Sequence, residues 1–136
     1  MIRLEGACHC GAVTAVLETP LAPGEIEVRA DQCGFCRRHG AKTVSDPAGR
    51  LILCFAENSV LRYRFAARTA DFLVCRGCGT YVASVMEDYG VLNVVGANIA
   101  VLATRAALPV DYEGESADER RTRRRQRWTP TILEAA

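Results

Sequence analysis

The sequence lacks any run of about 18 apolar residues, so no segment is predicted to cross a membrane as a helix. It also lacks an internal repeat of about 20 to 50 residues, which excludes a repeat architecture. The 17 basic and 16 acidic side chains leave a net charge of +1, so the whole chain has no bias toward nucleic acid or an anionic membrane. The N-terminus contains no apolar signal sequence, and we expect a soluble, cytoplasmic protein.

Histidine and lysine are scarce as well. The chain has two histidines, His9 and His39, and a single lysine among its basic residues. Both histidines lie beside cysteines without helical ligand spacing, so each is at best a neighbour of a metal site, and we expect His9 to be exposed. Because arginine replaces lysine throughout, a cluster of arginines is weak evidence for phosphate recognition.

The length of 136 residues and the hydrophobic content of 49% are typical of one compact domain. Proline and glycine divide the chain into short segments rich in β-branched and aromatic residues, which favours strands. Alternating polar and apolar positions predict strands over 12–18, 25–30, 51–56, 60–65, 71–74, 80–86 and 91–95. We therefore predict a mainly β domain over residues 1–112.

The composition changes after Pro109, and residues 113–136 are predicted to form a charged, arginine-rich tail or a short peripheral helix. Ser116 and Glu119 have the spacing of a capping box, in which each side chain accepts a hydrogen bond from a free backbone amide at the start of a helix. The arginine run over 120–127 is interpreted as a solvated face. Contact with phosphate backbones is the weaker alternative, since four acidic residues precede the run.

Seven cysteines in a chain expected to be cytoplasmic favour metal ligation over disulfides. Six of them form three closely spaced pairs, and two such pairs can surround one zinc ion with four thiolates. Cys54 stands apart in an apolar run and is predicted to be a buried side chain of a strand. The pairs are Cys8 with Cys10, Cys33 with Cys36, and Cys75 with Cys78.

Six paired thiols exceed the four ligands of a closed site, which predicts one structural zinc and one remaining pair. Spacing alone leaves open which pair remains. Asp31 lies two residues before Cys33, so on an extended strand its carboxylate is on the same side as the Cys33 thiol. Asp31, Cys33 and Cys36 would then form a three-ligand site with the open position that a catalytic zinc needs. The alternative is that Asp31 only caps a turn.

Arg37 and Arg38 directly follow the middle cysteine pair. Guanidinium groups next to a metal site are suited to hold an anionic group of a substrate through charge-assisted hydrogen bonds. The alternative interpretation of both residues is ordinary surface charge.

The motifs at residues 6–11, 33–41 and 72–80 together resemble the family of glutathione-dependent formaldehyde-activating enzymes, which includes the centromere protein V domain. Their order and spacing extend the resemblance over nearly the whole chain. It implies a mainly β, β-tent-like fold of antiparallel sheets held together by a structural zinc. The ligands implied for that zinc are Cys8, Cys10, Cys75 and Cys78.

The resemblance further implies a second, catalytic zinc at the middle motif, where the family has three cysteines and this sequence has Asp31 before Cys33 and Cys36. The implied activity is that of a carbon–sulfur lyase that joins formaldehyde and glutathione, or a related aldehyde and thiol. Arg37 and Arg38 would hold the carboxylates of glutathione. The alternatives are a non-catalytic zinc-binding interaction module that has lost the second site, and a reversible dithiol of Cys33 and Cys36.

Overall fold

The computed structural model describes all 136 residues, which form eleven strands and three short helices. The helices are α1 (Gly34–Arg38), α2 (Ala100–Ala103) and α3 (Ala117–Arg127). No helix combines the length and the apolar character that a membrane span requires. The strands are β1 (Ile2–Ala7), β2 (Thr14–Thr19), β3 (Arg29–Asp31), β4 (Thr43–Val44), β5 (Arg50–Phe55), β6 (Val60–Tyr63), β7 (Asp71–Cys75), β8 (Tyr81–Met86), β9 (Tyr89–Asn93), β10 (Leu108–Val110) and β11 (Thr129–Ala135).

The strands form two connected sheets. One has the order β1-β2-β5-β11, and the other continues from β6 through β7 and β8 to β9 and then to β4, β3 and β10. Strand β11 joins them, because its start pairs with β9 and the rest pairs with β5. The pairs β5–β11 and β3–β10 are parallel. The chain is mainly β, as predicted, but the prediction of purely antiparallel sheets is wrong.

The core lies between the two sheets. Leu17 of β2 and Leu51 and Leu53 of β5 are almost completely buried, and they belong to one cluster of 21 buried residues that also includes Leu73 of β7 and Leu92 of β9. Removing such side chains from water is the main contribution to folding, about 1.5–3 kcal/mol for each fully buried aliphatic residue. The polar and apolar alternation in β2 and β5 therefore gives each strand one core face.

One predicted strand is largely wrong. Over the predicted range 25–30, only Arg29 and Ala30 belong to a strand, β3, and Pro23–Glu25 forms a 3-10 turn in which the proline and glycine favour a bend. Ile26 and Val28 are nevertheless buried in the core. The alternation of apolar residues in this segment therefore indicated burial correctly and strand structure incorrectly.

The C-terminal segment begins as predicted and ends differently. Ser116 Oγ accepts a hydrogen bond of 3.1 Å from the Glu119 amide, and Glu119 Oε1 accepts one of 3.0 Å from the Ser116 amide. The predicted capping box therefore starts α3. Strand β11 follows and was not predicted, so residues 113–136 include a strand of the main sheet. The solvated arginine face is also wrong in part, since Arg124 is only 6% exposed.

Candidate metal centres

Four cysteines from distant parts of the chain meet in one cluster. The Sγ atoms of Cys8, Cys10, Cys75 and Cys78 all lie within 4.8 Å of one another, with 3.8 Å between Cys8 and Cys10 and 3.5 Å between Cys10 and Cys75. Four thiolates bound to one zinc at about 2.3 Å lie about 3.8 Å apart in a tetrahedron. The donor set and its spacing therefore fit a closed zinc site.

Two tight turns bring these sulfurs together. After β1, the Cys8 amide donates to Val13 O at 2.9 Å, and the Val13 amide donates back to Cys8 Sγ at 3.3 Å. After β7, the Gly79 amide donates to Cys75 O at 2.8 Å, with Gly79 at φ +75°, a conformation that glycine adopts without strain. A Cβ on Gly77 would lie 3.4 Å from Cys10 Sγ, an ordinary van der Waals contact, so this turn passes directly beside the sulfurs.

The cysteines of this cluster differ in acidity, and Cys78 is the one that most readily forms the thiolate that binds a metal. The Thr80 hydroxyl lies 3.2 Å from Cys78 Sγ and stabilises its thiolate, which lowers the pKa of Cys78 to about 5. Burial instead raises the pKa of Cys75 to about 11. The thiolate is the form that binds metal, so a positive ion would relieve the unfavourable burial of charge at Cys75.

The second cluster has three members: Asp31 at the end of β3, and Cys33 and Cys36 at the start of α1. Their ligand atoms also lie within 4.8 Å of one another. The Cys33 amide donates to Asp31 Oδ1 at 2.9 Å, and the Cys36 amide donates to Cys33 Sγ at 3.3 Å. Asp31 therefore caps the turn and lies at ligand distance as well. Two sulfurs and a carboxylate oxygen fit zinc and leave its fourth position to another ligand.

The two thiols of this cluster differ in acidity. A hydrogen bond from the Cys36 thiol, together with backbone amides, lowers the pKa of Cys33 to about 7. The same hydrogen bond raises the pKa of Cys36, and burial adds to the increase. Near neutral pH, Cys33 can therefore be a thiolate that accepts a hydrogen bond from the Cys36 thiol. A thiolate in this position can bind a cation or act as a nucleophile.

This second cluster opens into a cavity of about 440 Å³. The cavity lies between β3 and α1 on one side and α3 on the other. Six arginines and three carboxylates line it, so its walls carry excess positive charge. Its apolar surface includes Phe65, Phe72, Tyr81 and Trp128. A site of this size and composition can hold a small organic anion.

The predicted arginine pair is divided between two pockets. Arg37 lines the cavity next to Asp31 and the thiols, whereas Arg38 lines a second pocket near Cys8 and His9. Arg38 Nη1 also donates to Gly34 O at 3.0 Å, within its own helix. The two arginines therefore do not face a common ligand.

The remaining predicted residues belong to neither ligand set. His9 is exposed. His39 packs with its ring centroid 4.5 Å from that of Phe35 and belongs to neither cluster. Cys54 is half-buried in β5, on the face opposite to the buried Leu53, and no other cysteine joins it.

Four arginines of α3 that line the cavity were not predicted as binding residues. These are Arg120, Arg123, Arg124 and Arg127. Their spacing of three, four and seven residues places them on one face of the helix that the capping box predicted. That spacing was the available signal, but only the fold shows that this face is directed at Cys33 and Asp31.

A comparison with models of known protein families finds no match for this sequence. A comparison with solved structures finds the crystal structure of a Rhodobacter sphaeroides protein, determined by the Northeast Structural Genomics consortium. The two proteins are 30% identical, with a TM-score of 0.56, and the match covers 78% of this chain and 98% of the other. Identity at this level over nearly the full length of the second protein means that this chain belongs to the same family as the Rhodobacter sphaeroides protein.

Proposed function

We propose that this protein is a zinc-dependent enzyme of the carbon–sulfur lyase type, which joins a small aldehyde such as formaldehyde to glutathione or a related thiol. The observation that supports this most is the three-donor cluster of Asp31, Cys33 and Cys36 at the wall of a positively charged cavity. The three cysteine motifs support it independently through their resemblance to glutathione-dependent formaldehyde-activating enzymes.

The reaction is an addition: the sulfur forms a bond to the aldehyde carbon, the carbon–oxygen π bond breaks, and the thiol proton ends on that oxygen. Zinc held by Asp31, Cys33 and Cys36 would supply a Lewis acid that favours the thiolate of a substrate near neutral pH. The closed cluster would hold the other zinc as a structural ion. The aromatic and apolar residues of the cavity wall would limit the access of water to the reacting groups, and its arginines would orient the anionic thiol compound.

A non-catalytic zinc module is the second candidate. The observation that favours it is the position of Asp31, whose Oδ1 is already used by the Cys33 amide and which replaces the first of three cysteines in the related motif. In that case the chain would retain the closed cluster and its fold, and the second cluster would hold no metal.

The test is the rate of adduct formation from formaldehyde and glutathione, measured by exchange NMR and compared with the uncatalysed reaction. We expect the wild type to exceed the background, and Cys33→Ala to lower that excess by about 100-fold, because a zinc ligand of the open site is lost. Cys54→Ala is the matched control, a cysteine outside both clusters, and should keep full activity. A wild-type rate equal to the background would favour the non-catalytic module.

A further inference from the structure

We propose that Arg120 and Arg124 of α3 form an anion-binding site, which receives the carboxylate or phosphate group of a small organic ligand inside the cavity. The site is separate from the residues predicted for substrate binding, Arg37 and Arg38. The proposal depends on the proposed function only for the identity of the group at the other end of the ligand, near Cys33.

Only some of the arginines of α3 are ion-paired. Three of its arginines have carboxylate partners: Arg121 lies 3.1 Å from Asp118, Arg123 lies 3.0 Å from Glu115, and Arg125 lies 2.6 Å from Glu87. Arg120 and Arg124, which are four residues apart and on one face of the helix, have no such partner. Arg127 also lacks a carboxylate partner, so three arginines of α3 are unpaired and all three line the cavity. Arg127 is exposed, which leaves Arg120 and Arg124 as the two that are shielded from solvent.

Arg124 is buried, with only 6% of its surface exposed. Its Nη1 donates to Thr69 Oγ1 at 2.6 Å, and its guanidinium carbon lies 4.8 Å from the ring centroid of Trp128. Both neighbours are neutral, so they fix the position of the guanidinium without compensating its charge. Glu115 and Asp31 act on Arg124 only from a distance, without a salt bridge to it. A buried guanidinium with no carboxylate in contact is unfavourable, and an anionic ligand would supply that contact.

Arg120 and Arg124 each carry a hydrogen-bond donor that is not used within the chain. The Nε atoms of Arg120 and Arg124 are buried and have no partner in the chain. Buried polar atoms are nearly always hydrogen-bonded in folded proteins, so two orphaned donors on neighbouring side chains indicate an absent acceptor. Burial and the neighbouring arginines also lower the pKa of Arg124 to about 10, which still leaves it positively charged at neutral pH.

The class of ligand follows from the geometry of the donors and from the walls around them. A guanidinium group presents two parallel N–H donors, which match the two oxygens of a carboxylate or of a phosphate. Phe72 and Trp128 line the same cavity and suit an apolar part of the ligand. The volume of about 440 Å³ limits the ligand to a small molecule.

The test is calorimetric titration of the full zinc-containing chain with S-methylglutathione, which has two carboxylates and no thiol that could bind a metal. Binding therefore does not depend on catalysis. We expect Arg120→Gln and Arg124→Gln each to weaken binding by about 10- to 100-fold, since each removes a charged hydrogen-bond donor. Arg121→Gln, on the same helix but paired with Asp118 outside the cavity, is the matched control and should change binding less than about twofold.

A second titration with inorganic phosphate distinguishes the two sources of the anion. Binding of S-methylglutathione that both variants weaken supports a carboxylate ligand. Binding of phosphate alone, weakened by the same variants, supports the anion site and counts against glutathione as the thiol. If Arg124→Gln fails to fold, Arg120→Gln decides the result. The proposal is overturned if neither compound binds the wild type, or if both variants bind as the wild type does.

Discussion

Cysteine side chains have three different surroundings in this chain. Cys8 and its three partners form a closed set, Cys33 and Cys36 share their set with a carboxylate, and Cys54 lies in a strand without another sulfur nearby. The difference comes from the backbone, because tight turns direct the first sulfurs at one another, whereas the start of α1 directs the second pair toward a cavity. The same residue type is therefore suited to a structural ion in one place and to chemistry in another.

Gly96 provides a test of the close packing next to these sites. A Cβ at this position would lie 2.0 Å from the backbone oxygen of Tyr81 and 3.0 Å from Asn93 Nδ2, so the surrounding backbone would have to move. We expect Gly96→Ala to lower the free energy of unfolding by about 3 kcal/mol, measured by urea denaturation. Gly24→Ala is the control, since a Cβ there meets nothing within 4 Å. If Gly96→Ala and Gly24→Ala unfolded at the same urea concentration, that result would contradict the described packing.

At the scale of residues, the sequence was informative where the partners lie close together along the chain. Asp31, Cys33 and Cys36 are within six positions of one another, and their proximity followed from local geometry. The grouping of Cys8 with Cys75 connects positions 65 residues or more apart and came only from the resemblance to a family. Burial of Arg124 was not predictable, because it depends on where α3 packs.

At the scale of elements, strand β11 is the main feature that the sequence did not reveal. Its sequence contains Pro130, which normally argues against a strand, but this proline lies at the start of β11. Leu133 and Ile132 are both partly exposed, so the strand has no clear alternation. Its main partner β5 is distant in sequence and runs parallel to it, and neither fact can be read from local pattern.

The pairing of β6 with β7 contains a charged cluster whose contribution should depend on pH. Asp71 accepts from Arg62 Nη1 at 3.0 Å and contacts Arg64 as well. Burial raises the pKa of Asp71, but the hydrogen bonds from the two arginines outweigh that effect, so the pKa is lowered overall. A lowered pKa in the folded state means that the carboxylate stabilises the fold above its unfolded pKa and loses this effect as the pH falls through the folded pKa.

We therefore expect Asp71→Asn to lower the free energy of unfolding by about 1 kcal/mol at pH 7, with the difference disappearing in acid below the folded pKa. Urea denaturation at several pH values measures this. Glu5→Gln is the control, because its pair with Arg3 is 2.7 Å long but exposed, and it should change stability little at any pH. If Asp71→Asn lowered the free energy of unfolding equally at neutral and acidic pH, the charge of Asp71 would have no role in stability.

At the scale of the whole molecule, the closed cluster and the cavity depend on different long-range contacts. The closed cluster connects the end of β1 to the turn between β7 and β8, so metal bound there would contribute directly to folding. The cavity requires α3 to pack opposite β3 and α1, and β11 holds the C-terminal end of α3 to the sheets. The mainly β class was predictable from alternation, whereas the joining of the two sheets at β9 and β11 was not.

The proposed function requires two metal centres of different kinds, a closed one at the four-cysteine cluster and an open one at Asp31, Cys33 and Cys36. The most direct measurement is the zinc content per chain by elemental analysis, on protein purified under reducing conditions without added metal. We expect about two zinc ions in the wild type and about one in Asp31→Ala, because only the open centre loses a ligand. A wild type that contains no zinc, or one zinc that is unaffected by Asp31→Ala, would contradict the account of the open centre.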